Sequence, residues 1–253
     1  MSAFGAGSSA KPQFSVDCTA RAIIHGTLDD QSQQPASLLI YDFSFLAFRS
    51  TRLKSANISF EFKDKESQET PVVYRIAPYL KHTTMPSTEV HRQAIEAGVS
   101  GNAGFGPAAI TPNISASNSR EKTMEYQVEV IGENPSDDYG RRFRAQWSLN
   151  ENESQKRGIP TFLRVCILLE REHDRQFLMR PTVEATANTA TRISSLFAAR
   201  TQDDPVEYDP SLDPYAKGID GTAIDRWNLE AADIDGLWDC TFHREFSRGV
   251  KVS

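Results

Sequence analysis

Apolar and polar residues take turns along several stretches of the chain. Phe14, Val16, Cys18, Ala20, Ala22 and Ile24 are separated by Ser15, Asp17, Thr19, Arg21, Ile23 and His25. Ile58, Phe60 and Phe62 alternate with Ser59, Glu61 and Lys63; Met124, Tyr126, Val128 and Val130 with Glu125, Gln127 and Glu129; Phe143, Ala145, Trp147 and Leu149 with Arg144, Gln146 and Ser148. Neighbouring side chains on a strand point to opposite faces, so this period of two predicts sheets with one buried and one wetted face. Leu38–Phe48 is apolar on both phases and predicts a central strand covered on both sides.

The spacing predicts further strands at Ala56–Lys63, paired hairpin-fashion with the preceding strand, and at Pro71–Ile76. Arg120–Ile131 and Arg141–Leu149 form a hairpin across a polar tip at residues 133–140. Phe162–Arg171 follows, then Gln176–Ala187, where Pro181 predicts an edge position. Between Pro86 and Ser119 the glycines and prolines predict a mostly irregular excursion, with a short helix at Thr88–Ala97. Ile193, Leu196 and Phe197 predict one amphipathic helix over 189–199. Trp238–Phe246 alternates and predicts an edge strand.

The expected fold is therefore mainly β: an antiparallel β-sandwich or flattened β-barrel with an irregular Gly-rich excursion and one short helix. Residues 1–12, small and polar, are expected to be disordered. Residues 13–200 form one β-rich domain, and 201–253 an acidic segment that docks on it through Trp227, Leu229, Ile234, Leu237 and Trp238.

Charge sharpens this division. Residues 203–253 hold 12 acidic and 5 basic side chains, whereas the other 202 residues are nearly neutral. No basic stripe marks a nucleic-acid binder, so nucleic acid is not an expected partner. No apolar run is long enough for a spanning helix, and no signal peptide is visible at the start of the chain. A cytoplasmic protein with no membrane partner is the expectation. Three widely spaced cysteines, Cys18, Cys166 and Cys240, form neither a disulfide framework nor a ligand set.

Several blocks resemble a group of uncharacterised proteins that recur in many copies in filamentous fungi. They include Arg52-Leu53-Lys54-Ser55-Ala56, Ile76-Ala77-Pro78 and Ser119-Arg120-Glu121-Lys122-Thr123. The strongest is Trp147-Ser148-Leu149-Asn150-Glu151-Asn152 leading into Gln155-Lys156-Arg157-Gly158-Ile159-Pro160. The resemblance covers roughly residues 35–215, and it implies a shared β-rich fold and a fungal source but no particular reaction.

Candidate chemistry is sparse. Asp42 and Arg164 are charges inside the two most apolar strands, where an unpaired charge is costly; a pair there would either brace the sheet or orient a ligand. His82, beside Tyr79 and Lys81, is the candidate general base, since imidazole titrates near neutrality. The histidines show no metal-ligand spacing, and neither a nucleophile elbow nor a phosphate loop is present, so no cofactor or metal is expected. The aromatic residues Tyr41, Phe43, Tyr126, Trp147 and Phe162 would fill a core or, if the sheets part, line an apolar pocket. The leading expectation is an apolar small-molecule site between the sheets, used for cofactor-independent cyclisation of the Diels–Alderase or pericyclase kind in fungal secondary metabolism. The alternative is a non-enzymatic module that binds another protein through sheet edges or the acidic segment.

Overall fold

In the computed structural model the described residues form fourteen strands assembled into two antiparallel sheets. It describes residues 2–5, 14–48, 51–65, 70–93, 120–188, 192–196 and 205–241. In chain order the strands are β1 (Ser2–Gly5), β2 (Phe14–Thr27), β3 (Pro35–Ala47), β4 (Leu53–Asp64), β5 (Val72–Ala77), β6 (Leu80–Gln93) and β7 (Arg120–Glu133). They continue as β8 (Arg144–Asn150), β9 (Phe162–Glu170), β10 (Phe177–Ala187), β11 (Arg192–Leu196), β12 (Val206–Tyr208), β13 (Tyr215–Ala216) and β14 (Asp239–Thr241). Among the described residues, one four-residue α-helix, α1, spans Ile234–Leu237.

The first sheet runs β1-β2-β3-β9, with β5 and β14 sharing the far edge of β9 and β13 pairing with β2. The second runs β11-β10-β4-β8-β7-β6, with β12 added to β10. The architecture is a β-sandwich. Strands of the second sheet bury every other residue, as Ala145, Trp147 and Leu149 of β8 show. Strands β3 and β9 are buried on both faces.

That double burial creates two apolar layers. Leu39, Tyr41, Phe43 and Phe45 of β3 face the second sheet, where Phe60, Phe62, Trp147 and Phe177 meet them. Leu38 and Ile40 face outward with Cys166 and Leu168 of β9, and Leu229 and Ile234 from the C-terminal segment cover them. Full burial of Leu229 and Ile234 stabilises this docking by about 1.5–3 kcal/mol each. Backbone bonds hold the same segment: Thr27 N–H donates to Arg226 O at 2.9 Å and Glu230 N–H to Leu28 O at 2.8 Å.

Strand β2 serves both layers. Its ladder with β3 shifts register between Ala20 and Ala22, an extra residue that reverses the phase of alternation. Phe14, Val16 and Cys18 enter the inter-sheet core, whereas Ala22 and Ile24 enter the outer layer.

Several expectations need correction. The helix foreseen over 189–199 is replaced, at Arg192–Leu196, by β11 pairing with β10; strand partners override the helical spacing of Ile193 and Leu196, while Phe197 lies outside the described residues. Pro86–Gln93 is neither irregular nor helical but part of β6, paired with β7, and residues 94–119 lie outside the description. β3 and β4 are not a hairpin, because β4 crosses to the second sheet between β8 and β10. β10 is not an edge. Pro181 falls between the β12 ladder at 177–179 and the β11 ladder beginning at Thr182, where its missing N–H deprives neither neighbour. Ser2–Gly5, expected to be disordered, adds to the edge of β2, whose backbone groups accept a partner whatever its side chains.

Candidate functional site

Asp42 sits opposite Arg164 in the β3–β9 ladder, on the outward face of the first sheet. Its carboxylate accepts from Arg164 Nε at 2.7 Å and Nη2 at 3.1 Å, and from Arg21 Nε at 2.6 Å. The register shift at Arg21 delivers that second guanidinium. Asp42 is buried, whereas the two arginine side chains keep 22% and 32% of their exposure. Such a triad satisfies the carboxylate and braces three strands. The hydrogen bond from Arg164, with the carboxylate charge behind it, raises the Arg164 pKa above its ordinary value.

Phe162 lies on the same outward face, beneath the Arg164 guanidinium at 5.9 Å. Its phase within β9 places it opposite the inward Leu163, so it is not part of the inter-sheet ring cluster that the sequence suggested. Tyr41, Phe43 and Trp147 are in that cluster. Tyr41 stacks on Phe60 at 5.1 Å; Phe43 and Trp147 meet the same ring at 5.9 and 6.0 Å. Tyr41 also joins its hydroxyl to that of Tyr208, and Trp147 Nε1 donates to Pro78 O at 2.9 Å. These rings pack on each other between the sheets. Tyr126 stands opposite Ser87 in the β6–β7 ladder, and its side chain lies outside the description.

His82 is elsewhere. Its Nε2 lies 3.0 Å from Tyr79 O, and its ring packs against Trp238 at 4.8 Å. No hydrogen bond or ion pair among the described residues links it to Asp42 or Arg164. His82 is thus not joined to the Asp42–Arg164 pair by such a contact. The thiols are no better placed for nucleophilic work: burial pushes Cys18, Cys166 and Cys240 up to about 12. Among the described residues, no group of three or more His, Cys, Asp or Glu side chains is placed to hold a metal ion.

Two features were invisible in the sequence. The first is a two-stranded ribbon. β6 and β7 each run for 14 residues and pair from Leu80–Gly132 out to Gln93–Arg120. β8 pairs with β7 only at Glu129–Glu133. From Arg120 to Val128, β7 therefore has β6 as its sole strand partner among the described residues, and β6 has β7 as its own. At about 3.3 Å per residue, roughly 30 Å of ribbon has no further strand partner among the described residues along either edge.

The second is a cleft of about 270 Å³ at the root of that ribbon. Tyr74, Arg75 and Ile76 of β5 form one wall; Tyr79 before β6, Asn134 after β7, Arg142 before β8 and Asp235 of α1 complete it. Gly132 of β7 makes the root possible: a Cβ there would stand 1.9 Å from Pro78 O and 2.8 Å from Trp147 Nε1.

No protein-family model and no curated protein matches the chain. Among solved structures, it is similar to Clostridium perfringens delta-toxin at 10% identity and a TM-score of 0.29, over 82% of this chain and 86% of that one. It is similar to a pore forming protein at 7% identity and a TM-score of 0.32, over 81% of this chain and 88% of that one. The membrane-inserted form of the Clostridium perfringens NetB toxin aligns at 8% identity and a TM-score of 0.24, over 76% of this chain and 94% of that one.

Proposed function

We propose that the protein is a non-enzymatic interaction module whose β6–β7 ribbon adds, edge to edge, to the ribbons of other copies of the same chain. The observation that carries this reading is the mismatch between the β6–β7 ladder and the short β7–β8 ladder, which leaves both ribbon edges without a further strand partner among the described residues over the same stretch. Copies set side by side with ribbons pointing the same way would bring β6 of one against β7 of the next. Those strands run antiparallel, so each backbone group gains a partner. Head-to-tail contacts of this kind close into rings when the rotation allows. Pro86, in the register shift between Thr84 and Ser87, interrupts the outer edge of β6, so the pairing would run outward from Ser87. An apolar small-molecule site between the sheets, with cofactor-free cyclisation, would need room beside Tyr41, Phe43, Phe60 and Trp147, whose rings are in contact; strand addition needs only edges.

A second reading concerns where assembly occurs. Residues 94–119, which join the two ribbon strands, contain a single charged side chain, Glu96. Among the described residues no helix is long and apolar enough to cross a membrane, which does not bear on strands. In lipid an isolated ribbon is forbidden by its unpaired edges, and a closed ring of ribbons is not. Lipid would then favour the same edge-to-edge pairing.

Sedimentation velocity over a wide concentration range, repeated with dye-loaded phosphatidylcholine vesicles, tests both readings. The expected result is oligomers in solution or on vesicles, abolished when residues 88–125 are replaced by Asn-Gly to close the ribbon at Ser87 and Tyr126. A protein that stays monomeric in both settings overturns the proposal. Dye release that needs the full ribbon assigns the assembly to lipid.

A further inference from the structure

The cleft at the ribbon root combines an open aromatic face with hydrogen-bonding groups of both polarities. Tyr79 is 49% exposed, and its hydroxyl has no hydrogen-bond partner among the described residues. The Arg142 guanidinium likewise has no ion-pair partner among them. Asn134 Nδ2 donates to Val73 O at 3.3 Å, which fixes the carboxamide and leaves Oδ1 as an acceptor. Arg75 is held by Glu230 O at 3.1 Å and by Asp235 at 3.5 Å, and the Tyr74 hydroxyl donates to Glu230 at 2.5 Å. The wall is thus anchored to the docked C-terminal segment, while Tyr79, Arg142 and Asn134 keep capacity to spare.

We propose that this cleft binds one hexopyranose unit, its ring lying on Tyr79 and its hydroxyls meeting Arg142, Asn134 and Asp235. A volume of about 270 Å³ suits a single small ring. A pyranose offers hydroxyls that both donate and accept around a rim, with C–H faces above and below. The cleft answers with donors on Arg142 and Tyr79, acceptors on Asn134 and Asp235, and an aromatic surface. An inorganic anion fits less well, because Asp235 repels it and Arg75 is already paired with that carboxylate. This site goes beyond the ribbon reading and is independent of it, since replacing residues 88–125 leaves Tyr79, Asn134 and Arg142 in place.

Saturation-transfer NMR with the methyl glycosides of glucose, galactose, mannose and N-acetylglucosamine tests the assignment. At least one is expected to bind in the millimolar range. Tyr79→Ala and Arg142→Ala, with unchanged circular dichroism, are each expected to weaken it about tenfold. Tyr79→Phe, which keeps the face and loses the hydroxyl, should cost less than Tyr79→Ala. No binding of any of the four sugars at tens of millimolar overturns the proposal. So does binding that Tyr79→Ala leaves unchanged, or inorganic phosphate displacing the sugar. A glycolipid vesicle bearing the same hexose distinguishes a membrane head group from a soluble glycan, either of which supports the site.

Discussion

Tyr41 of the first sheet and Tyr208 of the second bring their hydroxyls into hydrogen-bond contact between the sheets. Both are buried, and burial, followed by the neighbouring hydroxyl, holds Tyr41 far above its ordinary pKa, so it stays neutral. The pair is a polar tie in an otherwise apolar space.

Removing one hydroxyl strands the other. Tyr208→Phe should destabilise the fold by about 1–3 kcal/mol, whereas the double change to phenylalanine should cost less than the sum of the single ones. Urea denaturation of the three variants measures this; strictly additive losses would show that the contact does not exist.

Asp42→Ala leaves Arg21 and Arg164 facing each other without a carboxylate. The expected loss is on the order of 3 kcal/mol, at the lower end for such a change because the arginines keep 32% and 22% of their exposure. Arg164→Ala, which leaves Arg21 on the carboxylate, should cost less. An Asp42→Ala variant as stable as the parent contradicts the brace.

His25 links stability to pH. It is buried beside Ser37 Oγ at 2.8 Å and edge-on to Phe177 at 6.1 Å. Burial first, then the charge of Arg171, lowers its pKa from 6.5 to about 4, with Asp174 and Asp209 opposing and Arg226 assisting. Between those values the unfolded chain binds more protons, so stability is complete above pH 6.5 and declines as pH falls toward 4. The decline amounts to about 3 kcal/mol. His25→Phe should flatten that part of the profile in thermal melts taken from pH 7 to 4; an unaltered slope would assign it to other groups.

Gly26 lies under the C-terminal segment. A Cβ there would stand 1.7 Å from Arg226 O, a backbone atom. Gly26→Ala is expected to lift residues 226–238 from the outer face while the sandwich stays folded. Faster amide exchange at Leu229 and Ile234, with the β8 amides still protected, is the readout.

What the sequence made legible was local. The alternation of Ala145, Trp147 and Leu149 appears in the burial of β8, and the double cover expected over Leu38–Phe48 holds through Phe43 but fails at Leu46 and Phe48, each 42% exposed, because the ladder with β9 ends at Ser44. Phe162 was misplaced because a strand with both phases apolar does not tell which face is which. The helical spacing of Ile193 and Leu196 yielded to β10, a partner that no local window contains. The pairing of Asp42 with Arg164 spans 122 residues, and alternation carries no record of which strands become neighbours. The ribbon was hidden for a related reason: Pro86 and the glycines beyond residue 93 read as breaks, while the β7 ladder tolerates Pro86 within a register shift.

The register shift at Arg21 has a mechanical consequence. One strand supplies residues to the layer between the sheets and to the layer beneath the C-terminal segment, so melting the sandwich removes the floor on which that segment rests, whereas the segment can lift without melting the sandwich. On heating, a probe at Trp238 should therefore never report a higher midpoint than one at Trp147.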